Sequence, residues 1–458
     1  MKMFRLGDLR VRIGRWFGVD RAVSFAVLGK LWGMGAGLVT ALLVATYFTP
    51  DVQGYYYTFL SVLALQVFAE LGLGTVISTY ASHEWSKLSL NPDGRIEGDP
   101  EALSRLHSLA RFAWRWYLVA AVLVTVILVV GGGIFFGAKG WGDVTLWGGP
   151  WFLLCLVTGV NLACLPIWAL LEGCNQVAAV YAYRLVQAVA SSLVAWLAIS
   201  GGAGLWVSGL VGISVAMVFV FTAWRRYHVL VRQLIGEPPR AGVLNWRSDI
   251  LPMQWRISVS WISGYFAFAL FTPVLFHFHG ALVAGQMGMT WTLLSALTAV
   301  ATAWVAPKAP VFGILVAQHA YAELNRMFWR LLWSVISMTA AGALVVWGAV
   351  YAVNQMGHPF ADRMLSPTTT AYFLLGTLAQ VMTLPMAAYL RAHKKEPLLG
   401  VSVATGLATG GMVLWMGGHS VAAVGQGYMV VMVLAAGSVC WVWWRRRVDW
   451  HSETSLQA

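Results

Sequence analysis

Twelve long apolar segments divide this chain, and its positive charge falls on alternate connections between them. Of the 30 Lys and Arg, two (Lys139, Arg363) lie in odd-numbered connections and two (Lys30, Arg184) inside apolar segments; the other 26 occupy the N-terminal arm, the even-numbered connections with their flanks, and the C-terminal tail. That asymmetry is the positive-inside signature of a multi-pass membrane protein with both termini in the cytoplasm. Without water to satisfy the backbone, each segment has to close its hydrogen bonds internally, so the expected fold class is all-α. A span needs roughly 20 residues, which places the first six at about 22–48, 54–80, 112–136, 150–171, 176–199 and 203–222. The second six fall at about 254–278, 281–306, 331–353, 369–390, 396–416 and 420–444.

Composition narrows the function classes. With 59% apolar and 10% charged residues, the chain cannot clothe a water-soluble core in polar surface. The net charge of +12 sits beside hydrophobic spans, where anionic lipid headgroups, not nucleic acid, are the nearer partner. Cys155, Cys164, Cys174 and Cys440 lack any ligand spacing, so neither disulfide nor metal is expected, and no cofactor. The arm 1–21 resembles the basic start of a signal peptide, but the apolar stretch after it is too long for one. It reads as an uncleaved first span preceded by an interfacial helix.

Two equal halves are expected: a lobe at 1–224 with its basic arm, a cytoplasmic linker at 225–251, a second lobe at 252–446, and a tail at 447–458. The linker carries five Arg and Pro238-Pro239, and its first part is expected either as a helix on the inner leaflet or as a solvated strand of chain. An internal echo supports duplication: Val52-Gln53-Gly54 matches Val283-Ala284-Gly285, and Leu165-Pro166 matches Leu384-Pro385. The plan is therefore twelve transmembrane helices in two six-helix lobes related by a pseudo-two-fold axis along the membrane normal. Odd-numbered connections are short and their acids (Asp51, Asp143, Asp362) isolated, which leaves a membrane glycan polymerase or ligase without an acid/base pair.

Charges inside spans are costly and mark function or pairing. At 1.5 Å per residue, Lys30, Glu70 and Arg184 lie about 12, 15 and 12 Å from the cytoplasmic ends of spans one, two and five. Gln66, Tyr181 and Gln187 add polar groups nearby. One reading is a cavity with a surplus cation suited to a diphosphate, with Glu70 coupling to protons or gating the cations. The competing reading is a Lys30–Glu70 pair that only locks two helices. Glu172 reads as a solvated cap, or as half of a latch with Arg391, its counterpart in the other half; Arg256 is expected at the cavity entrance. His277 and His279 read as interfacial groups. Gly29, Gly33 and Gly37 predict close packing of span one, Pro166, Pro273 and Pro385 predict kinks, and Trp224, Trp441, Trp443 and Trp444 read as interface anchors.

The stretch Phe48-Thr49-Pro50-Asp51-Val52-Gln53-Gly54-Tyr55-Tyr56-Tyr57-Thr58-Phe59, followed by Glu70-Leu71-Gly72-Leu73, resembles polysaccharide-transport proteins of the O-antigen flippase type. These belong to the multidrug/oligosaccharidyl-lipid/polysaccharide exporter superfamily. The similarity extends to Trp255-Arg256-Ile257-Ser258 and Val283-Ala284-Gly285-Gln286-Met287-Gly288. The resemblance implies a bacterial inner-membrane flippase that moves undecaprenyl-diphosphate-linked oligosaccharide by alternating access. Its implied partners are that glycan lipid, membrane lipids and other polysaccharide assembly proteins. It carries no fixed catalytic residue; its expected cavity cations map onto Lys30 and Arg184. The alternative is a multidrug or small-molecule exporter of the same fold, for which a cavity of carboxylates and aromatics is expected.

Overall fold

The computed structural model describes residues 21–138, 144–236, 246, 250–393 and 397–455. The interfacial helix expected at 1–20 and most of the linker, 237–245 and 247–249, lie outside the described residues.

The chain is helical along nearly all of its described length, as apolar runs without a water-facing alternative demand. The first half comprises α1 (Arg21–Tyr47), α2 (Pro50–Leu63), α3 (Leu73–Trp85), α4 (Pro100–Gly137), α5 (Val144–Gly173), α6 (Val177–Ser200) and α7 (Trp206–Gly236). The second comprises α8 (Leu251–Phe268), α9 (Phe271–His279), α10 (Ala281–Val305), α11 (Ala309–Ala317), α12 (Tyr321–Gln355), α13 (Pro367–Ala392), α14 (Leu399–Met416) and α15 (Val421–Ser455). Among the described residues ten helices are long and apolar enough to span a membrane, and twelve spans result when each of two bent pairs counts as one. The twelve-span expectation therefore matches the fold, with several helices running on beyond their hydrocarbon stretch. One is α7, which continues unbroken through Arg225 and Arg226 to Gly236 with Tyr227, Leu230 and Leu234 buried.

Both bends have local causes. From α2 the second span runs on through a 3-10 turn (Ala64–Gln66) and one α-turn (Val67–Glu70), then turns by 43° into α3. Leu71 (φ 47°) and Gly72 (φ 67°) are both left-handed there, which ends the helix ladder; for leucine that conformation costs about 1–2 kcal/mol. Between α8 and α9 the bend is 41°, just ahead of Pro273, which has no N–H to give to the carbonyl of Ala269. Pro166 and Pro385, by contrast, sit inside α5 and α13, which run on as single helices.

Between α3 and α4 the chain forms a hairpin, β1 (Leu88–Leu90) against β2 (Ile96–Gly98), in antiparallel register. Asn91 builds its turn by accepting from the N–H groups of Asp93 and Arg95. Gln233 of α7 clamps it, accepting from the Ile96 N–H (2.8 Å) and donating to the Ile96 carbonyl (3.0 Å).

By contact the chain divides into two compact units: Met1–Thr40 with Ala69–Gly133 and Gly148–Trp255, and Ala41–Phe68 with Ile134–Trp147 and Arg256–Ala458. The division differs from a simple cut at the linker, because the end of α1, all of α2 and the α4–α5 connection cluster with the second half. The core of the second unit contains aromatic stacks. Trp443 stacks on Phe328 at 4.6 Å, and Phe271 on Trp291 at 4.9 Å. Trp443 is thus a core residue, 2% exposed, and not the interface anchor expected; Trp224, Trp441 and Trp444 are exposed.

Candidate functional site

In the first unit α1 docks on α6 through indoles: Trp32 donates to the Ser192 hydroxyl and Trp196 to the Thr40 hydroxyl, each at 2.9 Å. The glycine face of α1 is not the packing face. A Cβ added at Gly29, Gly33, Gly35 or Gly37 would meet nothing within 4 Å, which corrects the expectation of close helix approach there. Lys30 is exposed on the side of α1 away from Trp32.

Arg184 has a partner that its depth did not reveal. Its guanidinium forms an ion pair at 2.7 Å with Glu172, across the tight turn from α5 to α6, and lies 5.3 Å from the centre of the Tyr181 ring. Asn175, left-handed at φ 59°, closes that turn. A long side chain two turns into α6 reaches back toward the helix end, as basic residues do near membrane interfaces. Glu172 is therefore not a solvated cap: its carboxylate is engaged by Arg184. With Glu172 counted, the set Lys30, Glu70, Glu172 and Arg184 carries no surplus charge. Both members are partly exposed (48% and 22%), so the pair stabilises the fold by about 1 kcal/mol or less.

Glu70 ends the α-turn just before the left-handed Leu71 and Gly72, at the break in the second span. It is half-buried, beside the buried Tyr117 of α4, and the Trp116 indole reaches the carbonyl of Ala69 at 3.4 Å. Gln187 is half-buried on α6, and Gln66 half-buried in the 3-10 turn that belongs to the second unit. The side chain of Arg256 lies outside the described residues. Arg391 ends α13, where it lines a cavity of the second unit. His279 meets the carbonyl of Gly417 at 2.8 Å, and His277 stacks against Phe135.

The tightest junction in the second unit falls on the repeated motif. The two copies of the echo lie against each other, α2 crossing α10 backbone to backbone. A Cβ on Gly285 would stand 3.0 Å from the nitrogen and 3.2 Å from the Cα of Gly54, while one on Gly54 would collide with the carbonyl of Ala281. Three residues on, Gly288 leaves the space that the Tyr57 ring occupies. Thr49 caps α2, its hydroxyl accepting from the Val52 N–H, with Pro50 in the first turn.

Gln53, 1% exposed, clasps this crossing. Its amide donates to the carbonyls of Gly285 (3.0 Å) and Arg363 (3.1 Å), and its own oxygen accepts from the Arg363 guanidinium at 3.4 Å. Gln286 donates in parallel to the Asp362 carbonyl. Burial lowers the pKa of Arg363 and the adjacent Asp362 opposes that shift. Arg363, an exception to the charge pattern in sequence, is thus the outer member of a buried polar clasp. The signal for Gln53 was its place between Val52 and Gly54 in the repeated motif, where the other copy has Ala284.

No family model matches the chain, and no curated protein does. Solved structures do. An inward-facing multidrug-resistance MATE transporter of the MOP superfamily superposes with a TM-score of 0.64 at 14% identity, over 94% of this chain and 99% of that one. An outward-facing transporter of that kind gives 0.55 at 14% identity over 94% and 96%. A MOP-superfamily transporter from Pyrococcus furiosus Vc1 (DSM3638), described as having a binding pocket of reverse polarity, gives 0.58 at 13% identity, again over 94% and 96%. The two-lobed, twelve-span plan of this chain is the fold of the MOP-superfamily transporters.

Proposed function

We propose that the chain is an alternating-access exporter that moves an undecaprenyl-diphosphate-linked oligosaccharide from the cytoplasmic to the outer leaflet of a bacterial inner membrane, with both termini cytoplasmic. The observation that carries alternating access is the crossing of Gly54 and Gly285, clasped by Gln53. A close backbone contact held by a few directional bonds near one end of the spans is a junction at which two helices can part. The substrate class is supported by the resemblance of the same segment, residues 48–59, to polysaccharide transporters, and by the basic inner face. Lys30 and Arg184 would meet the diphosphate, Arg184 on exchanging Glu172 for it, with Tyr181 and Gln187 of the same unit beside them. Glu70, at the break of the second span, would couple bending to protonation.

A second reading is export of drug-like amphiphiles. It is favoured by the Glu172–Arg184 pair, which cancels the cation surplus expected of a diphosphate site, and by the multidrug transporters among the structural neighbours. Deletion in a glycan-producing host separates the two. Build-up of polyprenyl-diphosphate-linked glycan on the inner leaflet supports the flippase. Unchanged glycan lipids with new sensitivity to cationic amphiphiles replace it with the drug exporter.

A further inference from the structure

The two carbonyls that the clasp reaches, Asp362 for Gln286 and Arg363 for Gln53, belong to one short 3-10 turn, Pro359–Arg363, between α12 and α13. The chain leaves α12 through Gly357, left-handed at φ 61°, and His358 stands extended at the head of the turn. A turn this short has to find partners for its leading N–H groups outside itself. Pro359 has none to offer. The Ala361 N–H goes to the carbonyl of His358 at 2.8 Å, and the Phe360 N–H goes to Nδ1 of the same histidine at 3.2 Å.

The far side of the turn is fastened by other means. Met364 gives its N–H to the carbonyl of Ala361, and Leu365 gives its N–H to the Thr290 hydroxyl of α10, each at 3.3 Å, with both residues buried. Those bonds involve no group that changes charge near neutrality; the bond at the head of the turn does. A backbone N–H can only donate, so Nδ1 of His358 presents its lone pair and the ring proton sits on Nε2. An imidazolium carries a proton on both nitrogens and accepts nothing. Histidine makes that change between about pH 5 and 8, and this one is exposed, so protons reach it from water. The turn packs against α12 and α10. The ionisable groups nearby are Asp362 and Arg363 of the turn itself and Tyr351 near the end of α12; α10 carries none, and α2 across the clasp carries Asp51, Tyr55, Tyr56 and Tyr57.

We propose that His358 is a proton-operated catch on the clasp. Neutral, it caps the turn and holds the carbonyls of Asp362 and Arg363 in place for the two glutamines; protonated, it releases the head of the turn and weakens their grip. The turn lies in a connection of the side poor in Lys and Arg, the outer face in the reading above, so the operating proton comes from outside. The inference rests on that reading for what the clasp closes, and on the histidine's own bond for the catch.

The test is hydrogen exchange of the full chain in lipid nanodiscs at about pH 8 and about pH 5.5, followed in the segment 356–366 and scaled to the intrinsic rate at each pH. The wild type is expected to exchange about fivefold faster on that scale at the lower pH. His358→Asn, which caps through an amide oxygen and carries no proton to gain, should stay slow at both, and His358→Ala should be fast at both. Asp362→Asn should keep the wild-type response, because the catch is a lost acceptor and not an ion pair. A wild-type response in His358→Asn, slow exchange in His358→Ala at the higher pH, or loss of the response in Asp362→Asn would each overturn the proposal. The melting temperature reads the grip separately: the part of its fall between the two pH values that His358→Asn removes should also be missing from Gln53→Leu, where no grip is left to weaken. Its persistence there would show that the histidine does not act through the clasp. Neither measurement uses a cargo, so failure of the export reading leaves both results standing, and failure here leaves that reading to its own deletion test.

Discussion

Gly54 and Gly285 stand backbone to backbone, the Cβ that Gly285 lacks having only 3.0 Å to the Gly54 nitrogen. Nothing larger than hydrogen fits on the Gly54 side, where the carbonyl of Ala281 fills the space. Small residues let helix backbones approach in lipid, where dispersion and polar contacts supply the association energy that water would supply elsewhere.

Gly54→Val therefore pries α2 from α10. Overpacking of this kind costs about 1–3 kcal/mol. A lower melting temperature in detergent and loss of export are expected, whereas Gly37→Ala, on the open face of α1, should leave both unchanged.

Gln53→Leu keeps the shape of the side chain and removes its contacts. It strands the buried carbonyl of Gly285, at a cost of about 1–3 kcal/mol for a buried partner left unpaired. Thermal unfolding of Gln53→Leu beside Arg363→Met and the double variant checks this. The double variant should lose less than the sum of the singles, because each single already breaks the clasp.

Reversing the ion pair separates stability from transport. Glu172→Arg and Arg184→Glu should each shift the melting temperature by no more than about 1 kcal/mol of stability allows, since the pair is partly solvated. Export should fail in both singles, and also in Lys30→Ala at wild-type abundance. If the double reversal restores export, the pair matters as a pair; if it does not, Arg184 itself meets the substrate.

Leu71→Gly releases a left-handed leucine and should stabilise the break by about 1 kcal/mol in the folded state, less what the added glycine freedom returns to the unfolded chain. Gly72→Ala adds strain at the same point. Opposite changes in transport rate between the two, at equal membrane abundance, would identify the break beside Glu70 as the flexing point of the second span.

Gln233→Ala removes two hydrogen bonds from Ile96 and should free the β1–β2 hairpin without touching the spans. Limited trypsin digestion is expected to cut after Arg95 several-fold faster in the variant, with the melting temperature of the remainder unchanged.

What the sequence disclosed follows from which interactions are local. Spans and their number depend on composition within about twenty residues, so they were legible. Position along a helix was legible too, at 1.5 Å per residue, but direction around it was not. Hence the position of Arg184 along α6 was legible but not its partner, since a flexible side chain reaches back to Glu172 across the turn. Trp443 looked like its exposed neighbours Trp441 and Trp444 because one helical face separates core from lipid. The hairpin at 88–98 has strands of three residues, too short for a period to show. Gly54 was legible as half of a repeat, yet only coordinates reveal that the two halves of that repeat meet.

That meeting has an evolutionary corollary. In a six-helix ancestor that paired with its own copy, this residue would have touched itself across a two-fold axis, and any side chain gained there would have clashed twice over. Fusion of such copies would leave the neighbours free to differ, as glutamine and alanine do here, with the self-contact point bare in both.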